Sequence, residues 1–481
     1  MAASMRSHDW VVSKKAPKAF FEQYPEYHPL VAQILWKRGV RSQKEVDAFF
    51  NPDYETDTHD PFLLSGMEEA VEVIGSALES DEHILIYGDY DADGVCASTV
   101  LAETLQSLGG RKISVYIPHR QDEGYGLNDD AVRKAAADGV NLIVTVDCGS
   151  TNNSQVLLAK ELGMRIVVTD HHTVLREAPH ADAFVNPHKK GDTYPFKGLS
   201  GTAVAFKVAC ALVARGRGKA HAMPVGWEKW LLDLVALSTI TDVMPLIGEN
   251  RALVRWGLFV LAQTRREGLR ALMRVSGVTP TLNRSKNTTN LNPFTLGFAL
   301  GPRLNAAGRM EHAQLAFDLL NASDKDEADR LAGLLDAANR RRQTVVRDIL
   351  SQISEEDILV HPAVVVGSEE WPIGVLGIVA GRIADTYGKP AFIYQRQETR
   401  LVGSARTPAH IHTVGVLESC ESVLEKFGGH AQAGGFTAAL TQEGVLRERI
   451  ISHVASLEYR DPSLSIDSVI EVEDISWEAY A

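Results

Sequence analysis

Between about residues 65 and 185 the chain alternates short β-rich runs with helical patterns, and this alternation constrains the fold more than any other feature. The runs are Ile84–Tyr87, 113–117, Leu142–Val146, 166–169 and 184–185. Helical spacing fills the gaps, as at 97–108, closed by Gly109-Gly110, and at 154–162, closed by Gly163. A chain that inserts a helix between successive strands returns each strand in the same direction, so an α/β fold with a parallel sheet is predicted. In such sheets ligands bind outside the carboxyl ends of the strands.

A chain of 481 residues exceeds one hydrophobic core, so several domains are expected. Residues 1–64 read as an N-terminal extension packed on a larger domain, because Phe20, Phe21, Tyr24, Leu30, Ile34, Leu35 and Trp36 give it apolar surface to bury. Residues 227–275 look helical. The segment 325–355 reads as one long amphipathic helix, with Leu331, Leu334, Leu335, Ala338, Val345, Ile349 and Ile353 at helical spacing, solvated between two lobes. A second α/β unit follows at about 360–460, with strands at 363–366 and 391–394, a helix at 374–387, and a Gly-rich end at 428–435. No stretch approaches the roughly 20 apolar residues of a membrane span: the run from Trp230 is broken by Asp233, and the run 375–380 ends before Arg382. The N-terminal fifteen residues lack a signal-peptide core. Cys96, Cys148, Cys210 and Cys420 form no CxxC pair, so reduced thiols and the cytoplasm are expected. A net charge of −13 argues against a broad surface that coats nucleic acid, although carboxylates that hold metals add to that count.

The sharpest local feature is Gly88-Asp89-Tyr90-Asp91-Ala92-Asp93-Gly94, three alternate carboxylates directly after an apolar run. They would repel one another at close range unless a hard cation took their oxygens. The same spacing opens a calcium EF-hand loop, but position twelve would be Val100 instead of Glu, and a strand precedes it. A turn of solvated acids is the plain alternative. Asp147, after Val146, alone reads as a helix N-cap. Asp170-His171-His172 follows a third run, and Asp242 follows the apolar stretch Thr239-Ile240-Thr241. Together the four motifs offer six Asp and two His, more than one cation needs. Two cations would use such a set, and they suit in-line displacement at phosphorus. Asp170 is a candidate to orient His171.

In this order the four motifs resemble the DHH phosphoesterase family, named for the triplet seen here as Asp170-His171-His172, and most closely its bacterial RecJ branch. The resemblance covers nearly the whole chain. It includes Leu35-Trp36-Lys37-Arg38-Gly39-Val40, Asp60-Pro61-Phe62-Leu63-Leu64, Gly66-Met67-Glu68-Glu69-Ala70, Ser200-Gly201-Thr202-Ala203-Val204-Ala205-Phe206-Lys207 and Gly301-Pro302-Arg303-Leu304-Asn305-Ala306-Ala307-Gly308-Arg309-Met310. In the second lobe, Gly403-Ser404-Ala405-Arg406 and Gly428-Gly429-His430-Ala431 also match.

The resemblance implies a parallel-sheet DHH domain at 65–310, carrying the 1–64 extension. A long connecting helix at 311–358 would join it to a smaller α/β DHHA1-type domain at 359–462 and a tail at 463–481, with the active site in the cleft between the two domains. It implies a 5′→3′ exonuclease for single-stranded DNA, in repair and recombination, that uses two divalent cations, Mn2+ or Mg2+. Asp89 and Asp91 would hold one cation, Asp93, His171 and Asp242 the other, and Asp147 would bridge them. His172 would face the scissile phosphate, so Asp147, Asp170 and His172 form the catalytic set. Arg303, Asn305, Arg309, Ser404, Arg406, Gly429 and His430 would bind substrate. Arg340, Arg341, Arg342 and Arg347 would follow the phosphates or else form a solvated helix end. The loop Arg215-Gly216-Arg217-Gly218-Lys219 lacks Walker spacing and reads as a connection. A monomer is expected, with no membrane association and with a helicase or single-strand-binding protein as partner.

Two departures stand out. The family often has Trp-His-Pro-Gly where this chain has Trp371-Pro372-Ile373-Gly374. RecJ enzymes also usually continue into an OB-fold that grips single strands, whereas this chain ends at Ala481, just after 466–473, so weaker binding to long strands is expected. That departure favours a rival reading, hydrolysis of short oligonucleotides or cyclic dinucleotides. A non-catalytic replication scaffold is the other rival, disfavoured because every expected Asp and His position is filled.

Overall fold

The computed structural model of the protein describes residues 9–174, 177–216, 221–458 and 463–477. The first eight residues of the N-terminal segment, Arg217-Gly218-Lys219, the expected boundary at 462 and the end of the tail lie outside them. The chain forms two compact units, Asn51–Gln343 and the pair of segments Met1–Phe50 with Thr344–Ala481.

In the first unit, β1 (Ile84–Tyr87), β2 (Ile113–Tyr116), β3 (Leu142–Val146), β4 (Arg165–Thr169) and β5 (Ala183–Val185) form one sheet. Their spatial order is β2-β1-β3-β4-β5 and every pairing is parallel. All residues of β1 and β3 are buried, because both sheet faces are covered. Ile84, Ile86, Leu142, Val144, Val146 and Val167 share one core with α1 (Ala92–Ser107) and α4 (Gly201–Gly216). Leu85, Tyr87, Ile143, Ile166 and Val168 face α2 (Asp129–Ala137) and α3 (Asn153–Glu161). The chain leaves β1 for one side of the sheet and then crosses to β3 on the other. That reversal opens a crevice beyond the carboxyl ends of β1 and β3.

The helix expected from residue 97 begins five residues earlier. Asp91 caps it, accepting from Asp93 N at 2.9 Å and Gly94 N at 3.1 Å, which draws Asp93 into the first turn. The 227–275 region is helical, and within it α5 (Leu232–Thr241) is buried from Leu232 through Thr239. The long helix is α7 (Lys325–Gln352), three residues shorter at its end than expected. Its first half is not solvated: Ala328, Leu331, Ala332 and Leu335 belong to this unit's core. Leu334 is exposed, and Val346 is buried where Val345 was expected, since the buried stripe runs at i, i+3, i+4 and i+7.

The second unit is built on β6 (Val364–Ser368), β7 (Ala391–Arg396), β8 (Arg400–Arg406), β9 (Lys426–His430) and β10 (Ala433–Ala439), ordered β9-β10-β8-β7-β6. Within this sheet β6 and β7 pair in parallel, joined by the helix α8 (Ile373–Tyr387), and the other pairings are antiparallel. The Gly-rich end forms the β9–β10 hairpin. In the N-terminal segment, Phe20, Tyr24, Leu35 and Val46 share a small core, and strand Asp9–Val12 pairs with Ser463–Ile466. No helix among the described residues is long and apolar enough to cross a membrane, and all four cysteines are free.

Candidate metal centre

Three strand ends and one helix end deliver the polar groups. Asp89 lies just beyond β1, with Asp91 and Asp93 opening α1. Asp147 directly follows β3, and Asp170, His171 and His172 follow β4. Asp242 comes from a different kind of element, as the C-terminal cap of α5. Glycines let these segments close up: a Cβ on Gly94 would collide with the Asp89 backbone, and one on Gly201 with the Asp147 carboxylate. Asp147 itself has φ 61°, left-handed backbone that Asp tolerates better than most residues and that tends to collect at functional sites.

Ligand atoms of Asp89, Asp91 and Asp147 lie within 4.8 Å of one another, as do those of Asp93, His171 and Asp242, and those of Asp147, His171 and His172. Asp147 and His171 therefore link the groups. His171 Nδ1 donates to the Leu199 carbonyl at 3.0 Å, which leaves the lone pair on Nε2. That lone pair faces Asp147 Oδ1 at 3.2 Å, Asp242 Oδ2 at 3.6 Å and Asp93 Oδ2 at 3.7 Å. Asp89 Oδ1, Asp147 Oδ1 and His171 Nε2 are buried with no hydrogen-bond partner. Buried acceptors left unpaired and crowded together are costly unless a cation sits among them. Burial, then the neighbouring Asp93 and Asp91 charges, push Asp147 well above the usual carboxylate range. Burial and Asp91 do the same to Asp89, and burial with Asp93 pushes Asp242 up to about 9. Carboxylate oxygens with one imidazole nitrogen suit hard divalent cations, so the donor set fits them.

Asp93 is heavily engaged. Its Oδ1 accepts from Thr202 N at 2.7 Å, from Thr202 Oγ1 at 2.6 Å and from Ser238 Oγ, and its Oδ2 from Gly201 N at 2.7 Å. It thus occupies the N-terminus of α4 while Oδ2 keeps lone-pair capacity toward His171.

Asp170 orients His172, not His171 as expected from sequence. Its Oδ1 accepts from His172 Nδ1 at 2.8 Å and from the backbone N–H groups of His171 and His172, and Oδ2 accepts from Ser150 N at 3.0 Å. Those donors overcome the upward push of burial and hold its carboxyl well below the usual range. His172 moves the other way: burial pulls it down, but the bond and charge of Asp170 outweigh this and push it up to about 9. Tyr125 Oη, 3.0 Å from His172 Nδ1, and Asn186, which donates to the His172 carbonyl and to Ser150 Oγ, complete this support. Sequence reasoning missed Tyr125, Ser150 and Asn186; only the glycines flanking Tyr125 hint that its loop must turn tightly.

Of the expected substrate residues, Arg303, Asn305 and Arg309 lie on α6 (Gly301–Met310). Arg303 pairs with Asp336 at 2.9 Å and donates to the Ala299 carbonyl at 2.6 Å. Asn305 Oδ1 accepts from Ala92 N at 2.8 Å, tying α6 to the acidic loop. Arg340 pairs with Asp336 at 2.7 Å and Arg341 with Glu311 at 3.1 Å, and Arg342 donates to Asn339 at 2.9 Å; all three are engaged by neighbours in their own unit. In the second unit Ser404 and Arg406 share a face of β8, and Gly377 of α8 leaves them room. Arg347 pairs with Asp348 at 3.8 Å. Gly429 has φ 145°, and a Cβ there would collide with the Ala433 carbonyl; His430 is exposed beside it.

Residues 83–239 match the description "DHH family, N-terminal domain" and residues 359–455 match "DHHA1 domain". The single-stranded-DNA-specific exonuclease RecJ of Bacillus subtilis is 39% identical over 94% of this chain, which spans 56% of that protein's length. The RecJ of Dickeya dadantii is 33% identical over 96% of the chain and 80% of the relative. Thermus thermophilus RecJ, solved in complex with Mn2+, superposes with a TM-score of 0.79 and 31% identity, covering 95% of this chain and 64% of that one. A second solved structure, of exonuclease RecJ bound to manganese, gives a TM-score of 0.70 and 34% identity, over 83% of this chain and 96% of that one. With 33% identity to a relative of which it spans 80%, and with its acids and imidazoles gathered at the switch point of a parallel sheet, the chain belongs to the RecJ family of DHH proteins.

Proposed function

We propose that this chain is a two-cation phosphodiesterase that degrades single-stranded DNA from its 5′ end, in cytoplasmic repair and recombination. The observation that carries this reading is the trio of buried, unpartnered ligand atoms at the mouth of β1, β3 and β4: Asp89 Oδ1, Asp147 Oδ1 and His171 Nε2. Two divalent cations bound there, manganese or magnesium, supply the positive charge that in-line displacement at phosphorus requires. Asp89 and Asp91 would hold one, Asp93, His171 and Asp242 the other, and Asp147 would contribute to both. Asp170 keeps His172 protonated, so its remaining N–H donates to a non-bridging phosphate oxygen as charge builds there. Asn305 and Arg303 brace α6 against the acidic loop and α7, and Arg309 reaches the nucleic acid. Ser404, Arg406, Gly429 and His430 offer phosphate contacts on the DHHA1-type domain. The DHH domain spans about 65–310 and the DHHA1-type domain about 359–462, and the chain acts as a monomer that receives strands opened by a helicase or held by a single-strand-binding protein.

Digestion of an end-labelled single-stranded 20-mer in Mn2+, with and without a 5′ phosphate, tests the reading. Products should shorten from the 5′ end, and a blunt duplex should resist. Equal digestion of the duplex, or faster turnover of a dinucleotide than of the 20-mer, would overturn it.

Cation binding should also show in stability. Asp147, Asp89 and Asp242 have raised pKa values in the folded protein, so without cations their contribution to stability falls as pH climbs above about 4, for Asp242 up to about 9. Cations replace those protons. The Tm gap between Mn2+-loaded and chelator-treated protein should therefore widen from pH 5 to pH 8, reaching several degrees at a hundredfold excess over Kd, where binding is worth about 3 kcal/mol. A gap that is absent, or constant with pH, would count against cations at these acids.

A further inference from the structure

Phe294 and Phe298 are 69% and 72% exposed, yet they stack on each other with ring centroids 4.7 Å apart and planes 22° from parallel. They bracket the start of Thr295–Leu300, a π-helical turn that runs into α6. Such turns are rare and occur frequently at functional sites. The turn is firmly anchored: Leu296 and Leu300 are fully buried. Gly297 sits where a Cβ would touch Ile240 at 3.5 Å, and a Cβ on Gly301 would collide with Thr241. Ile240 and Thr241 form the last turn of α5, which Asp242 caps. The exposed rings are thus braced against the same turn that presents a carboxylate to the metal centre.

Charge identifies the kind of partner. Residues 268–310 carry six cations and no acid, in a chain whose net charge is −13; Arg270, Arg274 and Arg303 pair with Glu267, Asp329 and Asp336, so the charge that bears on a ligand here is that of Arg284 and Lys286. Arg284 and Lys286 sit in the turn of the hairpin Leu282–Asn283/Thr288–Thr289 and make no ion pair among the described residues. The exposed residues beside the rings in sequence are Asn290, Asn292 and Pro293, not the aliphatics that would surround a protein-binding anchor. Flat exposed rings that follow a basic hairpin turn in sequence match a strand of unpaired nucleic acid, whose bases stack while its phosphates meet Arg284 and Lys286.

We propose that Phe294 and Phe298 form a stacking platform for unpaired bases of the strand that feeds the metal centre. The platform rests on the exonuclease reading above. It is tested in the full chain by measuring Kd in Mn2+ for a phosphorothioate-linked oligo(dT) 20-mer and for an abasic strand of equal length. The double substitution F294A/F298A should raise Kd for oligo(dT) about tenfold or more. F294Y/F298Y, which keeps the rings, should restore it, and the abasic strand should bind equally to wild type and F294A/F298A. An unchanged Kd for oligo(dT), an equal loss on the abasic strand, or a change of oligomeric state on removing the rings would overturn the platform. If wild type digests single strands while F294A/F298A grips them normally, only the platform fails; if wild type leaves all single strands intact in Mn2+, the exonuclease reading itself has failed.

Discussion

Asp147→Asn is expected to lower turnover of a single-stranded 20-mer by about a thousandfold or more while raising the Tm of the metal-free protein. Asp147 contributes ligand atoms to two of the three candidate groups and is buried. On the proposed assignment, losing its charge would weaken the hold on both cations together, and cation stabilisation at phosphorus is worth several kcal/mol, which is a thousandfold at about 1.4 kcal/mol per decade. Asn keeps the shape and tolerates the φ of 61°, so the backbone should not move. Without metal the same change relieves repulsion, because Asp147 faces the charges of Asp93, Asp91, Asp89 and Asp242 after paying for burial. Activity and metal-free stability should therefore move in opposite directions. A residue needed only for packing would lose both. Kinetics in Mn2+ and a thermal melt in chelator measure the two, and near-wild-type turnover would remove Asp147 from the centre.

The parallel sheet was legible because its signal is local. β1 and β3 begin and end where the apolar runs do, since strands buried on both faces carry no charged interruption. The acids at their ends were legible for the same reason: the polar residue that ends each run is also the one at the crevice. The helix that carries Asp242 was legible too, since 227–275 reads as helical and α5 ends at this acid. Two things were not. The orienting partner of His171 is the Leu199 carbonyl, 28 residues away in the chain, and a backbone oxygen has no signature in sequence. The Asp170–His172 bond depends on which way the turn after β4 folds back, and neighbours in sequence offer either histidine. On α7 the stripe was legible in period but slipped in phase, so Leu334 faces solvent and Val346 is buried.

Asp170→Asn should reduce turnover by about a hundredfold to a thousandfold, the range for losing a positioned acid, while lowering Tm. Ser150 N, His171 N, His172 N and His172 Nδ1 all donate to this carboxylate. An amide offers one acceptor oxygen, so at least one buried N–H would face an NH2 group at a cost of about 1–3 kcal/mol. The sign is opposite to that at Asp147 because here the buried charge is fully hydrogen-bonded. The pH dependence follows from both partners. Asp170 is depressed in the folded protein, so its contribution is present above about pH 4 and is lost as pH falls below. His172 is raised, so its contribution is complete below about 6.5 and fades as pH rises through about 9. The Tm gap between wild type and Asp170→Asn should be widest between about pH 4 and 6.5 and narrow on either side. Turnover should lose its alkaline limb at lower pH in the variant, because His172 without Asp170 sheds its proton nearer the ordinary histidine value of about 6.5. An unshifted alkaline limb would mean that the protonated form of His172 takes no part in the reaction, even if the variant were slow.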